Sequence, residues 1–163
     1  MTAAMVSLAP LEDEALAAWI AESLSGYVAQ RIASGEDAAL ARSKAQADRN
    51  AFFPGGRPAG GQLVFRILED AAPVGTLWIG PVPDSLPTHW WVWSIEIGEH
   101  QRGRGLGRAA MLLAEDEARS HGATQLGLNV FNHNRPAVHL YETLGYEITS
   151  QQMRKELQCR ADV

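Results

Sequence analysis

The chain has 163 residues, a formal charge of −5 at pH 7 and an isoelectric point near 5.5, which argues against nucleic acid as a partner because phosphate binding needs a basic face. Hydrophobic residues make up 46% and charged residues 20%, the composition of an ordinary globular protein, and no apolar run approaches the ~18 residues of a membrane span. Cys159 is the sole cysteine, which excludes an internal disulfide and a cysteine metal cluster. The first residues, MTAAMVSLAPLEDE, lack the basic region of a signal peptide. The expectation is a single domain over residues 1–163, reduced and cytoplasmic, with an acidic balance that suits a cationic acceptor.

Met5 to Ala9 is a short strand closed by Pro10. Leu16, Trp19, Ile20, Leu24 and Tyr27 then recur at helical spacing between Leu11 and Arg31. Ser34-Gly35 breaks the pattern before a second, more polar helix from Glu36 to Phe52. FFPGGRPAGG, Phe52 to Gly61, has the composition of a loop, and so rich a glycine content suits a lid. QLVFRIL and VGTLWIG are strands, joined through PVPDSLPTH to WWVWSIEI, Trp90 to Ile97. A helix follows from about Gly105 to His121, its apolar stripe carried by Leu106, Ala110, Leu113 and Ala114, with Gly122 as its stop. QLGLNVF is the next strand, Asn134 caps a helix running to Leu144, and QQMRKEL is a last strand. The order of strand, two helices, three strands, helix, strand, helix and strand describes one α/β domain with a mixed sheet.

Between the fourth strand and its helix lies HQRGRGLGRAAM, with three glycines at alternate positions among three arginines. Glycine permits positive φ and close backbone approach, so successive N–H groups can converge on an anion at the positive end of a helix. Arg102, Arg104 and Arg108 can add charge-assisted hydrogen bonds to a diphosphate. A P-loop is excluded because no Gly-Lys-Ser/Thr follows Gly107. The dinucleotide pattern is formally present in Gly105, Gly107 and Ala110, but QLGLNVF carries no acid for a ribose.

A third pattern accounts for more of the chain. Arg102, Gly105 and Gly107 match the Q/R-x-x-G-x-G/A signature, and Leu128, Val130, Asn134, Ala137, Leu140, Tyr141, Gly145 and Tyr146 follow at matching offsets. The chain therefore resembles the GNAT superfamily of acetyl-CoA-dependent N-acetyltransferases, with a cofactor-binding core at about residues 90–146. The resemblance implies a mixed, mostly antiparallel sheet with splayed central parallel strands and helices on both faces. It implies that the coenzyme A diphosphate sits on the backbone of Arg102, Gly103, Arg104, Gly105, Leu106, Gly107 and Arg108. The pantetheine arm would run along Ile95 to Ile97 and touch Asn134, whose helix-capping role is compatible with that contact. Tyr141 matches the tyrosine that protonates the departing thiolate.

No motif carries a general base. Glu96 is the only acid on the strand before the turn, and it faces the acceptor side if Ile95 and Ile97 pack on the following helix; a bulge could reverse that, and a water relay is the alternative. Glu99 stands where the family often has proline. The histidines form no i, i+4 pair, so no metal is expected. His89, Trp90, Trp91 and Trp93 read either as core or as an aromatic cage for a cation. The function implied is direct acetyl transfer from acetyl-CoA to a primary amine, on a small molecule or a peptide, with no nucleic acid and no membrane as partner and a homodimer as an option. The alternative is a non-catalytic acyl-CoA-binding or sensing module on the same fold. The resemblance implies acceptor contacts from Trp19, Tyr27, the Phe52–Gly61 loop and the segment near Ser150.

Overall fold

A computed structural model describes residues 5–157, so Cys159, to which no role is assigned, lies outside the described residues. Strand β1 (Val6–Pro10) leads into helices α1 (Asp13–Ala33) and α2 (Ala38–Phe52). Strands β2 (Leu63–Glu69), β3 (Ala72–Pro81) and β4 (His89–Ile97) follow, then α3 (Leu106–Ser120), β5 (Gln125–Leu128) and α4 (Arg135–Thr143). The helix ends obey local chemistry. Asp13 and Glu14 open α1 and Arg31 closes it, each charge opposing the nearby end of the helix dipole. Asp37 caps α2 by accepting from Leu40 N at 3.0 Å, and Asn134 caps α4 by accepting from Ala137 N at 3.3 Å.

The strands lie in the order β1-β2-β3-β4-β5, and every pairing is antiparallel except β4 with β5. That parallel pair needs a crossover, which α3 supplies. One side of the sheet buries Ile67, Leu77 and Ile79 against Met111, Ala110 and Ala114 of α3. The other buries Val64 against Leu16, Trp19 and Ile20 of α1 and Phe52 at the end of α2, with Trp78 and Trp93 packed on them. Two of the three indoles packed in this layer are satisfied, whereas the buried Trp93 Nε1 finds no partner among the described residues. Trp19 Nε1 donates to Thr76 Oγ1 at 3.1 Å, and Trp78 Nε1 donates to Gln62 Oε1 at 3.0 Å. The Gln62 amide, itself buried, donates onward to Pro81 O at 3.0 Å.

A bulge interrupts β4. Trp78 pairs with Ser94 and Ile79 with Val92, so Trp93 is the extra residue. Trp90 and Val92 before it, and Ile95 and Ile97 after it, all pack on the α3 side. Without the bulge, strict alternation would have sent the second pair to the opposite face.

Three expectations change. Phe52 and Phe53 are buried core residues rather than the start of a loop. The remainder is tied back through Ala59 N to Phe52 O at 2.8 Å and Gln62 N to Ala59 O at 2.9 Å, which does not suit a hinged lid. Strand β5 ends at Leu128, short of Phe131. QQMRKEL forms no strand, so the parallel pair lies at one end of the described sheet rather than at its centre. That segment's one basic fork, Arg154, is drawn to the α1–α2 turn instead, where it donates to Gly35 O at 2.9 Å and Ser34 O at 3.0 Å.

Candidate active site

The stretch from Gly98 to Arg108 joins β4 to α3. A 3₁₀ turn over Glu99–Gln101, closed by Gln101 N to Gly98 O at 2.8 Å, occupies the position where proline is common in the family. Gly103 and Gly105 then take φ of 76° and 79°, the left-handed region where a Cβ is penalised, and Gly105 is the N-cap of α3. Ala109 N bonds to Gly105 O at 3.1 Å, but the backbone N–H groups of Gly103 to Arg108 find no acceptor among the described residues. They form a row of free donors at the positive end of a long helix, the arrangement that binds phosphate oxygens. Gly107 lies in the first turn of α3, where Leu140 of α4 comes within 3.4 Å of an added Cβ.

The arginines of this turn point at the protein. Arg102 Nε donates to Ile97 O at 3.0 Å, Arg104 pairs with Glu69 at 2.8 Å, and Arg108 donates to Thr143 O at 3.2 Å. They brace the turn against β4, β2 and α4, which leaves the backbone row as the direct partner for an anion. Leu106 is buried in the core at the same place.

Beside the turn the sheet opens. Pairing between β4 and β5 ends at Val92 opposite Leu128, whereas β4 continues to Ile97. Beyond that pair β4 from Trp93 to Ile97 has no strand partner on the β5 side among the described residues, which leaves a wedge beside the glycine turn, with Ile97 O held by Arg102. Ile95 and Ile97 stand on this edge, and Asn134 stands beyond β5 at the start of α4. The Asn134 oxygen is occupied by its cap, leaving its amide N–H groups free for a ligand.

Glu96 and Tyr141 lie on opposite faces of the sheet. Because Ile95 and Ile97 pack on the α3 side, Glu96 is exposed on the α1 side, directly opposite Thr76 of β3. Tyr141 is half-buried against the α3-side core, and its burial raises the phenol pKa above the ordinary value. Its hydroxyl has no hydrogen-bond partner among the described residues, while its ring meets Tyr146 edge-on at 5.9 Å. Tyr146 differs: its hydroxyl donates to Glu115 Oε1 at 3.2 Å, and burial together with that carboxylate pushes its pKa up more strongly. The Tyr146–Glu115 pair joins residues of α3 and the chain after α4, and no sequence spacing announced it.

The aromatic cage does not assemble. Trp90 is buried on the α3 side with its indole bonded to Pro87 O at 3.2 Å, whereas Trp93 packs on Phe52 at 4.5 Å across the sheet. Of the other groups named for the acceptor, Trp19 is buried core, and the Tyr27 hydroxyl accepts from Arg31 of its own helix. Among the described residues no three His, Cys, Asp or Glu side chains come together as a metal site, and no helix is long and apolar enough to cross a membrane.

Residues 14–146 match the acetyltransferase (GNAT) family. The chain belongs to that family. An uncharacterised N-acetyltransferase of Bacillus subtilis (strain 168), YdgE, is 33% identical over 155 residues, covering 93% of this chain and 98% of the relative. The crystal structure of a second Bacillus subtilis acetyltransferase, YycN, superposes with a TM-score of 0.85 at 25% identity, over 94% of this chain and 99% of the other. The aminoglycoside N-acetyltransferase AAC(6')-Iy, solved in complex with CoA, shares the fold with a TM-score of 0.60 at 12% identity, over 97% and 98% of the two chains. The five-stranded mixed sheet flanked by four helices is thus the GNAT fold.

Proposed function

We propose that this GNAT protein transfers an acetyl group from acetyl-CoA to a primary amine by direct attack. The observation that carries the reading is the row of unpartnered backbone N–H groups from Gly103 to Arg108 beside the wedge between β4 and β5. Hydrogen bonds from such amides to a charged diphosphate contribute about 1.5–3 kcal/mol each. The CoA complex of the related fold supports the same ligand here.

In the mechanism, the diphosphate rests on that row, and the pantetheine arm follows Ile95 to Ile97 toward Asn134. The acceptor arrives largely as ammonium on the α1 side. Glu96, directly or through a water, takes its proton, and the freed nitrogen attacks the thioester carbonyl. The attack gives a tetrahedral intermediate; as its C–S bond breaks, Tyr141 on the α3 side gives its proton to sulfur, and the second proton lost by the nitrogen returns to the tyrosinate. The products are the acetylated amine and free coenzyme A. Glu96 and Tyr141 lie on opposite faces of the sheet, which separates the group that takes a proton from nitrogen from the one that gives a proton to sulfur. Burial disfavours the tyrosinate, which favours return of a proton to Tyr141 after transfer.

Thiol release over an amine panel tests the reading and separates it from a binding module, which would bind acetyl-CoA without releasing thiol. Tyr141→Phe should lower kcat by roughly 10²-fold, the usual worth of a positioned acid, with KM for acetyl-CoA little changed. Full activity in that variant would remove Tyr141 from the mechanism.

A further inference from the structure

After α4 the chain changes sides of the sheet. Tyr146 is fastened to Glu115 on the α3 side, and Gly145 to Thr149 form one wall of a groove of about 480 Å³ whose other wall is β5. By Arg154 the chain has reached the turn between α1 and α2, on the side where Glu96 stands. It therefore passes the β5 side of the sheet and ends on the side on which Glu96 stands. Its apolar side chains do not hold it there. Ile148 is 66% exposed, Met153 94% and Leu157 83%.

What holds it is a built contact. The two arms of the Arg154 guanidinium donate to Ser34 O and Gly35 O, successive carbonyls at the negative end of α1. Gly35 makes the space. At φ 91° it has no side chain, and a Cβ added there would overlap the guanidinium, with Nη2 nearest. Ser34-Gly35 was legible in the sequence as a helix breaker; the structure gives its glycine a second use as a notch.

We infer that Arg154 is a positioning residue that clamps the segment from Glu147 to Arg154 against the α1–α2 turn and so fixes one wall of the amine-acceptor site. This role rests on the acetyltransferase reading above. The clamp makes no contact with the glycine turn, so the expected effect is on the acceptor rather than on acetyl-CoA. Lysine cannot reproduce the fork, because its ammonium is a single point donor group on a flexible stem.

Two measurements on the full chain test it, using whichever amine the thiol-release panel identifies. Backbone ¹⁵N order parameters for residues 147–153 should fall below about 0.6 in Arg154→Ala, as for a flexible segment. The KM for the amine should rise roughly three- to tenfold, the cost of ordering a loop at each binding event, with KM for acetyl-CoA unchanged. Arg154→Lys should lie between the two. Gly35→Ala, which closes the notch without touching the arginine, should loosen the same residues. Order parameters unchanged in Arg154→Ala would overturn the clamp. A loosened segment with unchanged amine KM would overturn the positioning role. If the wild-type protein acetylates no amine, the acetyltransferase reading and the positioning role fall together, while the order parameters still decide the clamp.

Discussion

On the proposed reading, Gly105 serves binding and Tyr141 serves turnover. Gly105 must adopt φ 79° to aim the first amides of α3 outward, and a Cβ in that conformation costs about 1–2 kcal/mol. Gly105→Ala should therefore lower stability by roughly that amount and weaken acetyl-CoA binding, read as a smaller ligand-induced rise in melting temperature. It should spare kcat at saturating acetyl-CoA, the reverse of Tyr141→Phe. If Gly105→Ala binds acetyl-CoA as tightly as the wild type, the cradle lies elsewhere. These residues were legible because the demand is local: positive φ calls for glycine, and a family motif names positions. The arginines of the same stretch were not. Their charge suggested phosphate, but the direction of a long side chain depends on Glu69, Ile97 and Thr143, which the fold brings near from three other places.

Between the elements, the aromatic layer that seats α1 and α2 on the sheet depends on one buried amide. Gln62 accepts from the Trp78 indole and donates to Pro81 O. Gln62→Leu would preserve volume while leaving both partners unsatisfied. It should cost about 1–3 kcal/mol in urea unfolding, more than an exposed polar substitution, for which ±0.5 kcal/mol is usual. A loss within that smaller range would mean the indole is satisfied by other means. The strands themselves were readable from β-branched and aromatic runs, and so was the side on which Glu96 falls, given that Ile95 and Ile97 pack on α3. The bulge was foreseen only as an option. Its place at Trp93, upstream of that isoleucine pair, leaves their alternation intact, and no residue in WWVWSIEI marks it. Nor could composition tell that QQMRKEL would remain unpaired. Strand propensity describes how a segment fits a neighbouring edge, and among the described residues this one contacts the α1–α2 turn through Arg154 without joining the sheet.

For the molecule as a whole, the α1–α2 turn is where three parts of the chain meet, and it is held by charge. Arg31 of α1 and Lys44 of α2 both bind the Glu36 carboxylate, and the Arg154 fork sits on the neighbouring carbonyls. Hydrogen bonds from these two cations lower the Glu36 pKa from its ordinary 4.5 to about 2. A carboxyl group with a depressed folded pKa contributes stability above its unfolded value and loses it as pH falls through the folded one. Glu36 therefore stabilises the helix pair fully above pH 4.5 and progressively less down to about pH 2. Asp48, on the inward stripe of α2 with Ala45 and Phe52, works against it, because burial raises its pKa and its protonation favours the folded state. The two oppose each other over part of the same acid range, so the net pH dependence is shallower than Glu36 alone would give. Urea unfolding at pH 5 and pH 2.5 should show a smaller loss of stability in Glu36→Gln than in the wild type, and a larger one in Asp48→Asn. Equal losses in all three proteins would mean that the helix pair is held by its buried apolar residues, Leu16 and Ile20 of α1 and Ala41 and Ala45 of α2, with the charged turn serving only to place Ser34 and Gly35 for Arg154.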